Sequence, residues 1–187
     1  MNVLDFESSA ASYERLLNKV RAECQLPDKW FERLDHVAVK CKDSNDYLVS
    51  IESLNSLFDT ETLGEIRQVD LRLASARFMT AIHLGGSEFG MIEIMEPRLN
   101  ANPIKETFVE HTEFTVDDLL TIYNGLTCRI APNDSAVKVF DDRASYHQGI
   151  VLEFGDGLEV TFNETSLAEM VVNEQRQNIW ENYSNGS

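Results

Sequence analysis

Two stretches of the chain repeat one pattern. Leu34–Cys41 reads LDHVAVKC and Val109–Val116 reads VEHTEFTV: an apolar residue, an acid, a histidine, then an alternating run. The chain has four histidines, and two of them, His36 and His111, occupy these matching places. Imidazole nitrogen is a ligand for zinc, nickel and iron, so two such strands brought side by side offer two donors to one ion. A divalent ion also needs anionic ligands. Glu93, in GMIEIMEP, stands between Ile92 and Ile94 on the face shared by Met91 and Met95. A carboxylate held between isoleucines in mid-strand is costly unless a partner offsets its desolvation. In the second half Glu159, in GLEVTFNE, lies between Leu158 and Val160, with Glu153 and Glu164 as less well placed alternatives. The candidate ligands are therefore His36, Glu93, His111 and Glu159.

The elements that must position them follow from hydrophobic period. Phe6, Ala10, Tyr13, Leu17, Val20 and Cys24 have helical spacing over about 5–25, and Pro27 closes that segment. Period two begins at Leu34 and gives a strand to Cys41. On it Leu34, His36, Ala38 and Lys40 share a face. Asp43 and Ser44 then cap a helix with an inner stripe of Tyr47, Leu48, Ile51, Leu54 and Phe58. Strands are expected at about 64–71, 76–84 and 89–95, the last two joined by a GGSE turn.

After a link between Pro97 and Pro103 the order restarts. A strand over 109–116 puts Val109, His111, Glu113 and Thr115 on one face, and Asp117 caps a short helix through Leu119, Leu120, Ile122 and Tyr123. Strands follow at about 136–141, 148–154 and 158–162, the last two joined at GDG. Ser166 with Glu169 forms a capping box for a final helix over about 166–182. The expectation is an α+β fold in one domain spanning 1–187, with two βαβββ modules at about 34–96 and 109–164. They form a paired, curved mixed sheet with a central cleft, flanked by N- and C-terminal helices.

Composition narrows the partners. The net charge of -16, from 16 basic and 32 acidic residues, repels phosphate backbones and anionic lipid, so no nucleic acid and no membrane surface is expected as partner. No secretory signal and no membrane-spanning run is visible, which places the protein in the cytoplasm. Cys24, Cys41 and Cys128 form no CxxC pair, so neither a disulfide framework nor a zinc knuckle is indicated. GGSEFG has no helix behind it to make a phosphate loop, and no nucleophile elbow supports a hydrolase triad. His83, three residues before a turn, reads as structural, and His147 stands where it could line the cleft mouth.

The ordered pieces LDHVAVKC, IEIMEP, VEHTEFTV and FNETSLAEMVVNEQ resemble the vicinal oxygen chelate superfamily, which includes glyoxalase I, extradiol dioxygenases and bleomycin-resistance proteins. Within it the chain looks like the YecM family of bacterial proteins. The resemblance covers about residues 30–175. It implies a cleft holding a divalent ion (zinc, nickel, manganese or iron), with His36, Glu93 and His111 at matching positions and Glu159 approximately where a last carboxylate belongs. The function implied is metal-dependent isomerase, lyase or dioxygenase chemistry on a small oxygen-rich substrate, with Glu93 or Glu159 moving a proton as general base. The alternative is a non-catalytic module that sequesters a small ligand.

Overall fold

Short polar side chains start the helices, and alternation fixes the strands between them. The computed structural model describes residues 6–20, 26–67, 72–84, 87–98, 103–130, 137–141, 149–155 and 158–176. Helix α1 spans Phe6–Lys19, followed by a 3-10 turn at Asp28–Phe31. The first module is β1 (Leu34–Lys40), α2 (Ser44–Leu57), β2 (Thr60–Arg67), β3 (Arg72–Leu84) and β4 (Ser87–Met95). The second is β5 (Phe108–Thr115), α3 (Leu119–Thr127), β6 (Val137–Asp141), β7 (Gly149–Phe154) and β8 (Glu159–Asn163), and α4 (Leu167–Arg176) closes the chain as described. The expected hairpin turns at 85–86 and 156–157, the flanks of the terminal helices at 21–25 and 177–182, Cys24 and His147 lie outside the described residues.

The eight strands form one sheet in the order β2-β3-β4-β1-β5-β8-β7-β6. Each half, read from its edge strand inward, has the same order. β1 lies parallel to β4 and β5 parallel to β8, while β1 and β5 pair antiparallel and join the halves. The pairs His36–Glu113, Val37–Thr112 and Ala38–His111 are related by a local twofold axis through the Val37–Thr112 pair. That axis sends His36 to His111 and Ala38 to Glu113.

The helices α1, α2 and α3 cover one face of this sheet. Tyr13 and Leu16 of α1 with Val20 just beyond it, Tyr47 and Leu54 of α2, and Ile122 and Leu126 of α3 are buried there, against Val37, Val39, Ile92, Ile94, Phe114, Val160 and Phe162. Burying such side chains contributes roughly 1.5–3 kcal/mol apiece relative to leaving them exposed. Two residues of the expected stripes point to solvent instead: Leu48 is 51% and Leu120 53% exposed. The helical arc that meets the sheet is narrower than the apolar run.

Asp43 caps α2, accepting from the Asp46 amide at 2.8 Å. The α3 cap is Asp118 rather than Asp117. Asp118 accepts from the Leu120 and Thr121 amides, while Asp117 is drawn into an ion pair with Arg33 at 2.6 Å. The expected box at α4 forms, Ser166 N donating to Glu169 Oε2 and Glu169 N to Ser166 Oγ.

The opposite face of the sheet is the cleft face. Over the first half a small apolar cluster covers it, in which Leu167 and Val171 of α4 meet Met91, with Leu63 and Leu73 alongside.

Candidate metal centre

The two acid–histidine phrases end up side by side because β1 and β5 are neighbours. Alternation alone would turn the acid and the histidine to opposite faces. The ladder between the strands is interrupted twice, however. Leu34 pairs with Phe114 but His36 with Glu113, and Ala38 pairs with His111 but Val39 with Val109. Each interruption leaves one extra residue without a partner, Asp35 in β1 and Glu110 in β5. Such a bulge re-aims side chains locally. Both acids thereby reach the ring of the histidine that follows them. The same bulges correct the expected alternation: Val109 is fully buried in the helix-side core and Leu34 packs against it, so neither shares the histidines' face.

His36 is 1% exposed. Its Nδ1 donates to Asp35 Oδ2 at 2.9 Å, and the same carboxylate oxygen accepts from the Leu167 amide at 2.8 Å. Its Nε2 has no hydrogen-bond partner. The nearest acid oxygen on that side is Glu93 Oε2 at 3.7 Å, outside hydrogen-bonding range. His111 is arranged alike: Nε2 lies 3.8 Å from the same Glu93 Oε2, and Nδ1 lies 3.6 Å from Glu110 Oε2. Lys40 pairs with Glu110 from β1. The two rings stand edge to face with centroids 5.9 Å apart. Ser75 Oγ of β3 donates to Glu93 Oε1 at 3.2 Å and holds that carboxylate from behind.

A fourth acid joins them. Glu113, directly across from His36 in the ladder, has an oxygen 3.9 Å from His36 Nδ1. A nitrogen of each histidine and an oxygen of Glu113 all lie within 4.8 Å of one another. The Asn163 amide of β8 donates to Glu113. Asn163 in turn sits against Gly149, where a Cβ would stand 2.3 Å from Asn163 Oδ1 and 3.0 Å from Thr161 Cγ2. The alternating face of β5 contains Glu113, so the signal is present in the sequence. Matching the two halves passes over Glu113 as a ligand because Ala38 stands at its counterpart in the first half.

The sheet register also places the other acids. Relative to the paired histidines, Met91 corresponds to Glu159 and Glu93 to Thr161. Glu159 is thus beside His111 on the cleft face, and a threonine stands where a second Glu93 would be. Glu153 lies across from Glu159 and pairs with Lys138 at 3.3 Å. Glu164 accepts from the Leu119 amide at 3.0 Å, supporting the start of α3. His83 is exposed, paired in the ladder with Glu88.

The acids around the two histidines favour the protonated rings. Burial alone would depress the His36 imidazolium, but Glu113, Asp35 and Glu93 outweigh it and hold the ring well above the ordinary histidine range. His111 is likewise raised, burial being overcome by Glu110, Glu113 and Glu93. Burial would raise Glu93, yet His36, His111 and Ser75 bring it below the usual glutamate range. Glu159 moves the other way, pushed up by burial, with Glu110 and Glu153 adding to it.

The donor set suits a divalent ion. It combines two imidazoles with one or two carboxylates, and a buried Nε2 lacks any other partner. Nitrogen and oxygen ligands lie about 2.0–2.2 Å from zinc, which spaces neighbouring ligand atoms roughly 3–3.5 Å apart. The observed 3.7 and 3.8 Å are slightly wider than that spacing.

The fold itself, paired βαβββ modules in a curved mixed sheet, is the glyoxalase-like arrangement. The structural-genomics protein EC4020 has a TM-score of 0.70 to this chain at 16% identity, over 91% of this chain and 94% of that one. A putative dioxygenase from Bacillus subtilis overlaps 73% of this chain and 42% of its own, with a TM-score of 0.45 and 7% identity. BphC, a halotolerant catechol dioxygenase, overlaps 69% and 39%, with a TM-score of 0.42 and 12% identity. This chain therefore spans less than half of either dioxygenase. No protein-family model and no curated protein sequence matches it. No helix among the described residues is long and apolar enough to cross a membrane.

Proposed function

We propose that the chain binds a divalent ion in its central cleft through His36, His111 and Glu93, with Glu113 within reach, and acts on a small oxygen-rich molecule. The observation that carries this reading is the convergence of both histidines on one oxygen of Glu93, with the buried His36 Nε2 otherwise unpartnered. The ordered sequence motifs support membership of the vicinal oxygen chelate superfamily, and within it a YecM-like protein. When bound, the ion supplies Lewis-acid polarisation to adjacent oxygens of the substrate. The chain's own contribution is a dry, fixed donor set and a nearby proton store. Glu159, beside His111 and with its carboxyl raised, holds a proton closer to neutral pH than an ordinary glutamate does, which fits it for proton transfer.

Elemental analysis of the purified protein, followed by calorimetric titration of the metal-stripped wild type, H36A, H111A and E93Q with zinc, nickel, manganese and ferrous iron, tests the centre. The expected result is uptake of one ion per chain by the wild type and a loss of affinity in every variant. Equal, weak uptake by all four proteins would leave the histidines a structural role only.

A further inference from the structure

We propose that Asp35 and Glu110 are positioning residues, each the unpaired residue of a β-bulge that aims the following histidine's Nε2 at the common centre. The inference rests on the metal centre proposed above and goes beyond its ligands.

Three observations support it. The first is geometric: without the bulges each acid would point through the sheet into the apolar helix side, where a carboxylate is expensive. The bulges fall at places related by the local twofold axis, and both bring an acid to the ring. The second is chemical. An ionised carboxylate only accepts, so Asp35, hydrogen-bonded to His36 Nδ1, keeps the proton on that nitrogen and leaves the Nε2 lone pair free for an ion, while Glu110 faces His111 Nδ1 at 3.6 Å and favours the same tautomer by its charge. Carboxylates beyond the ligand shell commonly orient metal-bound imidazoles in this way.

The third observation is internal to the molecule. The cleft-face positions differ in type between the halves: Ala38 against Glu113, Met91 against Glu159, Glu93 against Thr161, Met95 against Asn163. Among the described residues of these four strands, the acid–histidine pair is kept on both sides.

The two acids are anchored differently, and this sets their rank. Asp35 is fixed by the Leu167 amide and touches His36 at hydrogen-bond distance. Glu110 is held by Lys40 and stands 3.6 Å from His111, so His111 is the looser of the two rings.

The test is titration of metal-stripped wild type, D35A, D35N, E110A and E110Q with Zn2+ and Co2+. Calorimetry gives affinity, the visible Co2+ spectrum reports ligand geometry, and thermal unfolding without metal reports packing. D35A and E110A should bind roughly 10- to 100-fold more weakly, D35A by the larger factor, with altered Co2+ spectra. D35N and E110Q, which keep an acceptor oxygen, should recover part of the loss. If wild type binds and D35A and E110A match its affinity and spectrum, the positioning role is overturned while the centre stands. The role is equally overturned if affinity falls only in step with lost thermal stability, with an unchanged spectrum and no recovery by the amides. A wild type that takes up no ion overturns the centre and this inference together. Should D35A fail to fold, E110A decides alone, because its carboxylate is tied to the surface through Lys40.

Discussion

The two halves of the sheet agree on the helix side and disagree on the cleft side. In β4 and β8 the core-facing positions are Ile92 and Ile94 against Val160 and Phe162, apolar in both and fully or almost fully buried. The alternate positions are Met91, Glu93 and Met95 against Glu159, Thr161 and Asn163. The first half sets Glu93 between two methionines of β4, with α4 packed over Met91. The other keeps the same face of β8 polar and adds Glu113 from the central strand. Packing tolerates little departure from size and polarity, whereas a site needs only enough donors at the right point. A twofold scaffold can therefore support a centre that is not twofold.

The largest effect expected from breaking this comparison is at the shared carboxylate. E93A should reduce metal affinity by more than about 100-fold, above the range typical of outer partners, because both histidines meet on that side chain. E113A should cost less, and E159Q should leave affinity close to wild type while altering any proton-transfer step. Calorimetric titration with Zn2+ ranks the three, and an E159Q loss equal to that of E93A would make Glu159 a ligand as well. Replacing Thr161 by Glu in the E113A background sharpens the point. A carboxylate at the twofold mate of Glu93 should restore part of the lost affinity.

The core positions come next. I94A should lower unfolding free energy by about 2–5 kcal/mol and F162A by about 3–5 kcal/mol, measured by urea denaturation of metal-free protein. Comparable losses in the two halves are the expected signature of one continuous core.

The pH response separates the metal-free from the loaded protein. Raised histidines contribute stability that is fully present below the unfolded-chain histidine value and is lost as pH rises through the higher folded values of His36 and His111. Lowered Glu93 contributes stability present above the ordinary glutamate value and lost as pH falls through its depressed one. Metal-free protein should be most stable between the ordinary glutamate and histidine ranges. Apparent metal affinity should run the opposite way above that window, still climbing past the usual imidazole range as two protons are displaced. Thermal melts and titrations across pH 5 to 9, a span of about four units around the histidine value, compare the two slopes.

The smallest effect concerns thiols. Cys41, in the first half, is buried and its thiol is pushed up to about 11, mainly by burial. Cys128, in the second, is exposed. A thiol-directed alkylating reagent at mildly alkaline pH should mark Cys128 and spare Cys41, as read by peptide mass spectrometry.

Much of this is legible in the chain. The order of elements and the strand position of Glu93 follow from period, and the repeated phrase singles out the two histidines that the sheet brings together. The bulges do not, because a bulge leaves the hydrophobic pattern almost intact and exists only once two strands pair. The acids of LDH and VEH are therefore visible as letters and unreadable as neighbours of the imidazole rings. Glu159 illustrates the same limit: flanking residues put it on a strand, but only the β5–β8 register shows that it faces His111 while Thr161 holds the place equivalent to Glu93. Asp117 and Asp118 are equally good caps by type, and only the structure shows that Asp118 holds the Leu120 and Thr121 amides while Asp117 meets Arg33.

Gly149 lies on β7, separated from β5 by β8, and contributes no side chain to the centre. Any substituent there pushes on Asn163, and Asn163 is what steadies Glu113. In a library of random variants this position should score as intolerant where an exposed position such as Lys138 is forgiving. Shifting the geometry of the proposed centre without touching a candidate ligand would begin at that missing methyl group, with G149A as the gentlest available wedge.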